Sequence, residues 1–170
     1  MVLLHVPPVL ADAPQDEVGL KSAFVFNLAK FTYWPVDLGS GPAPDLVLCT
    51  TGEDELVDAL QGLNNETIRG RSVTIRPTDA ADGFDGCQVL YIAGSEYQHF
   101  ARLLRQLGDA PTLTISEIRG FADADGIIQL YRAENRVRFK INLAVARAKR
   151  LKLSARLLDL AEMSEPATVP

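Results

Sequence analysis

The side chains of this chain best suited to nucleophilic, redox or metal chemistry are two cysteines, Cys49 and Cys87, and two histidines, His5 and His99. Asp85, Cys87 and His99 are the right types for a thiolate activated by a base and a carboxylate, but nothing in their spacing demands proximity. His5 sits in an apolar N-terminal stretch, which leaves His99 to the folded part. Clusters of His and Cys at metal-ligand spacing are missing. Gly70-Arg71-Ser72 is not a Walker loop, and no Gly-rich phosphate cradle follows a strand. The even pair Cys49 and Cys87 is compatible with one disulfide in an oxidising compartment, and equally with two buried thiols. The residue types thus indicate neither an enzyme nor a cofactor.

The elements that would position these residues read as a β-α-β alternation of the kind that builds a parallel sheet. Leu20, Phe24, Leu28 and Phe31 recur at helical spacing with Asn27 beside them, and Trp34-Pro35 ends the helix. A Gly/Pro linker over 36–44 precedes a buried strand, Leu46 to Cys49. Asp54 to Leu63 reads as a helix, Arg71 to Arg76 as an alternating strand, and Val89 to Ala93 as a central strand covered on both sides. Ser95 is placed to cap a helix carrying Phe100, Leu103, Leu104 and Leu107, with Gly108 as its stop and a strand over Thr112 to Ser116. This order is similar to that of a response-regulator receiver, but Ala93 and Gly94 stand where the phosphoacceptor aspartate would be. If the Cys49 and Cys87 strands paired parallel without stagger, the two sulfurs would be too far apart to bridge.

Beyond Gly120 the pattern changes to a hairpin, 126–132 and 136–141 around Glu134-Asn135. A two-residue turn sets Leu130 opposite Phe139 and Ile128 opposite Ile141 on the core side. Gln129 and Tyr131 then face Lys140 and Arg138, and Arg136, Arg138 and Lys140 form a basic stripe in solvent. A helix over 142–150 and a last one capped by Ser154 follow, with Leu153 and Leu158 as a hydrophobic staple. The expected fold is a single α/β domain with a mixed, mainly parallel sheet, a C-terminal antiparallel hairpin and helices on both faces.

With 170 residues, 47% of them hydrophobic, the chain suits one compact domain. Its net charge of -5 is uneven: from Arg132 to Arg156 nine Lys or Arg stand against Glu134 alone, so that segment carries +8 and the remainder -13. Such a field favours oriented approach to a partner. Residues 1–13 combine an apolar stretch with Ala11-Asp12-Ala13 and read as the remnant of a signal peptide without its basic start. No apolar run approaches the ~20 residues that span a bilayer. The domain is expected over 14–163, with a flexible tail over 164–170.

Three segments carry a resemblance. They are Lys21-Ser-Ala-Phe-Val-Phe-Asn-Leu-Ala-Lys-Phe-Thr-Tyr-Trp34-Pro35, then Gly86-Cys87-Gln88-Val89-Leu90-Tyr91-Ile92, and then Val137-Arg138-Phe139-Lys140-Ile141-Asn142-Leu143 leading through Leu151 and Ser154 to Leu157-Leu158-Asp159-Leu160-Ala161. In this order, from about Val18 to Ala161, the chain resembles the YfiR/HmsC-like family of periplasmic regulatory proteins. The resemblance implies a protein without catalysis that binds the sensory region of an inner-membrane diguanylate cyclase and holds it inactive, in cyclic-di-GMP signalling and biofilm control. It implies an outer-membrane lipoprotein that relieves the inhibition, and it leaves a homodimer open. Relatives carry cysteines at matching places, which implies a Cys49–Cys87 bridge; the second pair that some relatives have is missing here. A small-molecule sensor, with its ligand at the carboxyl ends of the parallel strands, is the alternative reading.

The resemblance transfers no contact residues, so candidates come from the residues themselves. Trp34 with Pro35 suits either a partner anchor or, as expected of a large aromatic, closure of the core. Asn27 is expected to be a buried, internally bonded amide. Arg136, Arg138 and Lys140, with Arg147, Lys149 and Arg150, suit an acidic partner or anionic lipid, or else guard a sheet edge. An acidic whole without an aromatic platform excludes nucleic acid. The candidate partner-binding residues are therefore Trp34, Arg136, Arg138, Lys140 and Arg147.

Overall fold

The computed structural model describes residues 13–35 and 44–163. All but Ala13 of the expected leader over 1–13, most of the linker and the tail over 164–170 lie outside the described residues. Along the chain come α1 (Ala13–Lys30), β1 (Thr32–Tyr33), β2 (Leu46–Thr51), α2 (Glu55–Leu60), β3 (Thr67–Ile68), β4 (Arg71–Pro77) and β5 (Val89–Ile92). They are followed by α3 (Phe100–Leu107), β6 (Leu113–Ser116), β7 (Ile128–Ala133), β8 (Arg136–Ile141), α4 (Leu143–Ala148), β9 (Lys152–Leu153), α5 (Ala155–Leu160) and β10 (Glu162–Met163).

The sheet order β10-β8-β7-β6-β5-β2-β4-β3 puts the apolar β5 at the centre. Strands β4, β2, β5, β6 and β7 run parallel; β8 turns back antiparallel to β7, and β10 pairs parallel with β8. Strand alternation divides the core in two. Leu48, Val89, Tyr91, Ile115, Leu130 and Phe139 pack beneath α1, α2 and α5. Cys49, Leu90 and Ile92 meet Leu103, Leu104 and Leu107 of α3 on the opposite face. This is the single mixed α/β domain with helices on both faces that the alternation implies.

The hairpin register matches the expected one pair for pair, including Leu130 opposite Phe139 and Tyr131 opposite Arg138. Glu134 and Asn135 both adopt positive φ, 52° and 60°, as a two-residue turn between twisted strands requires. Ser154 caps α5 and Asn142 caps α4, each accepting from a backbone N–H three residues on.

Several local expectations are corrected. Helix α1 ends at Lys30, before the indole, because Thr32 and Tyr33 pair antiparallel with Leu153 and Lys152. Its buried face is Ser22, Val25, Leu28 and Ala29, while Leu20 is 49% exposed and Phe24 and Phe31 are half-buried. Asn27 is exposed, one position off that face, and so is not a buried amide. Ser95 does not cap α3; it lies in a 3-10 turn, where its Oγ accepts from the Glu53 N–H at 2.9 Å. Lys149 leaves the basic surface: it is buried and its ammonium donates to the Gly108 carbonyl.

Cys49 and Cys87 are bonded, with Cα atoms 5.7 Å apart. By its sequence Cys87 is expected to begin a strand. It instead precedes β5 in a turn closed by Cys87 N–H to Phe84 C=O, with Gly86 at a φ of 79°, and this carries it over the α3 face towards Cys49. A bridge across 38 residues stabilises the domain by about 4 kcal/mol in the chain-entropy account. Because Cys87 is bonded, it carries no thiolate for the Asp85 and His99 arrangement to activate.

Candidate partner-binding surface

Trp34 is 2% exposed, and its indole Nε1 donates to the Gln88 carbonyl at 3.0 Å. It closes the core beneath α1 and offers no projecting anchor. With Gln88, Thr112 and Arg150 it lines a cleft of about 510 Å³ at the amino ends of β5 and β6. The carboxyl ends of the parallel strands are occupied differently. There Asp54 caps α2 through Oδ1, and its Oδ2 accepts from the Tyr91 hydroxyl at 2.9 Å and the Gly94 N–H at 3.1 Å. Burial, and then the Asp54 charge, push the Tyr91 phenol far above its usual range, so it stays protonated as a fixed donor. A Cβ on Gly52 would come within 2.6 Å of Ser95 Oγ, which shows how closely these loops pack.

The basic stripe is present on β8, because residues two apart share one face. Arg136 and Arg138 are exposed and Lys140 is half-buried. Acidic residues answer much of this charge: Arg138 pairs with Glu134, four residues before it at the hairpin turn, at 2.8 Å, and Lys140 pairs with Asp123 at 2.9 Å. On neighbouring β7, Arg132 pairs with Glu17 of α1 at 2.7 Å, and the Tyr131 hydroxyl donates to Glu162 of β10. Lys21 links Glu17 and Glu117; burial opposes its charge, but those two bonds together raise its pKa. Arg147 is exposed on α4, a separate element. The structure therefore joins Arg136, Arg138 and Lys140 on one strand face and leaves Trp34 and Arg147 elsewhere in the fold.

Residue patterning alone missed the apolar ground beside this stripe. Phe24 of α1, Val137 and Phe139 of β8 and Leu160 of α5 line a groove of about 510 Å³ together with Arg136 and Arg138. Leu160 is 72% exposed, and Phe24 meets Phe139 edge-to-face at 6.2 Å. A second groove, of about 460 Å³, continues along α1 past Leu20 and Phe31. The available signal was the Leu20–Phe24–Phe31 stripe, which is apolar yet lies off the helix's buried face.

The YfiR/HmsC-like family model matches residues 19–162. The chain belongs to the YfiR/HmsC-like family. No protein of curated function matches it. The family match begins within α1 and ends at the first residue of β10, so it takes in strands β1 to β9, the disulfide and the groove beside β8. Among the described residues no helix is long and apolar enough to cross a membrane, and no group of His, Cys, Asp and Glu is arranged to hold a metal ion.

Proposed function

We propose that this protein is a non-enzymatic periplasmic regulator that binds the sensory region of a membrane-bound diguanylate cyclase and holds the cyclase inactive. An outer-membrane lipoprotein that binds the regulator relieves the inhibition. The observation that carries this reading is membership of the YfiR/HmsC-like family across 19–162. The bonded Cys49 and Cys87 suit an oxidising compartment such as the periplasm. A surface that sets apolar and cationic groups side by side suits protein-protein contact.

The test is co-expression of the full chain with a cyclase encoded beside it, followed by affinity capture from the membrane fraction and measurement of cellular cyclic-di-GMP. The regulator should retain the cyclase's periplasmic region and lower cyclic-di-GMP when overproduced. Absence of capture from a membrane fraction that contains the cyclase, with cyclic-di-GMP unchanged, would overturn the reading.

A further inference from the structure

We infer that the open part of strand β8 is a β-addition site for an extended acidic-apolar segment of a partner protein. The inference rests on the partner-binding reading above for its biological occupant, and on the strand's own geometry for the site.

The two-residue turn makes Ala133 and Arg136 a hydrogen-bonded pair, and such pairs alternate along an antiparallel ladder. Arg136, Arg138 and Lys140 therefore direct their backbone groups to β7, while Val137 and Phe139 direct theirs away from it. Strand β10 covers this outer edge at Lys140 and Ile141. Among the described residues it stops short of Val137, whose N–H and C=O face outward as the open rung. An incoming strand that bonds to this rung places alternate side chains on the two faces of the sheet. On one face it meets Phe24, Val137 and the exposed Leu160. On the other it meets Arg136 and Arg138.

The complementary sequence alternates acidic and apolar residues. Charge selects against a second copy of this chain, because antiparallel β8-to-β8 pairing would set arginines against arginines across the new ladder. Simple edge protection needs charge alone. It does not account for an apolar shelf, continuous with the Leu20 and Phe31 groove, lying open beside the edge.

The probe is a capped eight-residue peptide alternating Glu and Val, titrated into the full disulfide-bonded chain and followed by fluorescence anisotropy and by amide chemical shifts. Binding should perturb Val137 and Leu160 and weaken at least ~tenfold for a Lys-Val peptide. N-methylation of the peptide in one alternating frame should abolish binding and in the other leave it intact, since one frame faces β8. Val137→Pro removes the outward donor, and Leu160→Asp changes an exposed side chain, so the second stays informative should the first fail to fold. Each should lower affinity at least ~tenfold.

Equal binding of Lys-Val and Glu-Val peptides, or insensitivity to both N-methyl frames, overturns the site. So does a dimer of the chain that Leu160→Asp dissociates, since a second copy would then occupy the edge. If Leu160→Asp and folded Val137→Pro still capture the cyclase and bind the Glu-Val peptide normally, the regulatory reading stands and this site falls. If the wild-type chain fails to capture the cyclase while the peptide results hold, the strand-addition site stands and its occupant lies elsewhere.

Discussion

Gln88 lets Trp34 act as a tie between layers. Its backbone carbonyl accepts from the Trp34 indole at 3.0 Å and from the Leu113 N–H at 2.8 Å, and its side-chain carbonyl accepts from the Val47 N–H at 2.7 Å. Trp34→Phe keeps most of the packing and leaves the Gln88 carbonyl bonded to Leu113, so its expected cost is about 1 kcal/mol. Trp34→Ala also opens a cavity and should cost about 3–5 kcal/mol. Urea unfolding checks both. If Trp34→Ala keeps its stability but loses the partner, the indole is a contact and not a core residue. Lys149 supplies a pH signature. Burial lowers its folded pKa below the unfolded value of about 10.4, so between the two values the unfolded chain binds more protons and stability rises with pH. Lys149→Met should remove that rise, seen as a wild-type-minus-variant stability difference that grows as pH climbs towards the unfolded value of about 10.4. The raised pKa of Lys21 gives the opposite slope at higher pH and cancels in that difference.

At the scale of elements, the hairpin holds the site because one of its faces is core. Phe139 is 5% exposed between Leu130 and Phe24, so Phe139→Asp should unfold the domain by burying an unpaired charge, visible as loss of the cooperative thermal transition. The α4 cap is separable into two parts. Asn142→Asp keeps the acceptor for the Val145 N–H but loses the donor to the Ala122 carbonyl, and Asn142→Ala loses both. The alanine variant should cost about 1 kcal/mol more than the aspartate one, by urea midpoint. The hairpin was legible in the sequence because strict alternation and a two-residue turn admit one register that buries Ile128, Leu130, Phe139 and Ile141 together. The disposition of α1 was not. Large aromatics at helical spacing pointed to its core face, whereas the sheet accepts the smaller Ser22, Val25 and Ala29, and Phe24 and Phe31 flank a groove. Two-residue strands such as β1, β9 and β10 carry too little pattern to read, and they exist because tertiary packing brings their partners alongside.

For the molecule as a whole, the +8 segment of the sequence is a weaker field than its count implies, since Glu17 and Asp123, which lie outside it in the sequence, fold back onto Arg132 and Lys140. Local counting could not see those partners. Arg136 retains its exposure, while the Arg138 pair is open to solvent and therefore worth little to stability. These are the conditions under which charge reversal separates binding from folding. A chain with Arg136, Arg138 and Arg147 replaced by Glu should unfold within about 1 kcal/mol of wild type, because all three side chains lie at the surface. Lys140 is left intact, since it is half-buried and reversal would hold a carboxylate against Asp123, whereas the new charge at Arg138 faces Glu134 in open solvent, where repulsion costs little. If the stripe meets an acidic surface on the cyclase, capture should weaken at least ~tenfold and lose its dependence on salt, because the screened attraction has been removed. The lost affinity should appear mainly in the association rate. Should the reversed chain bind its partner normally and begin to self-associate, with a light-scattering mass that rises with concentration, the arginines guard an edge and the contact surface lies on another face.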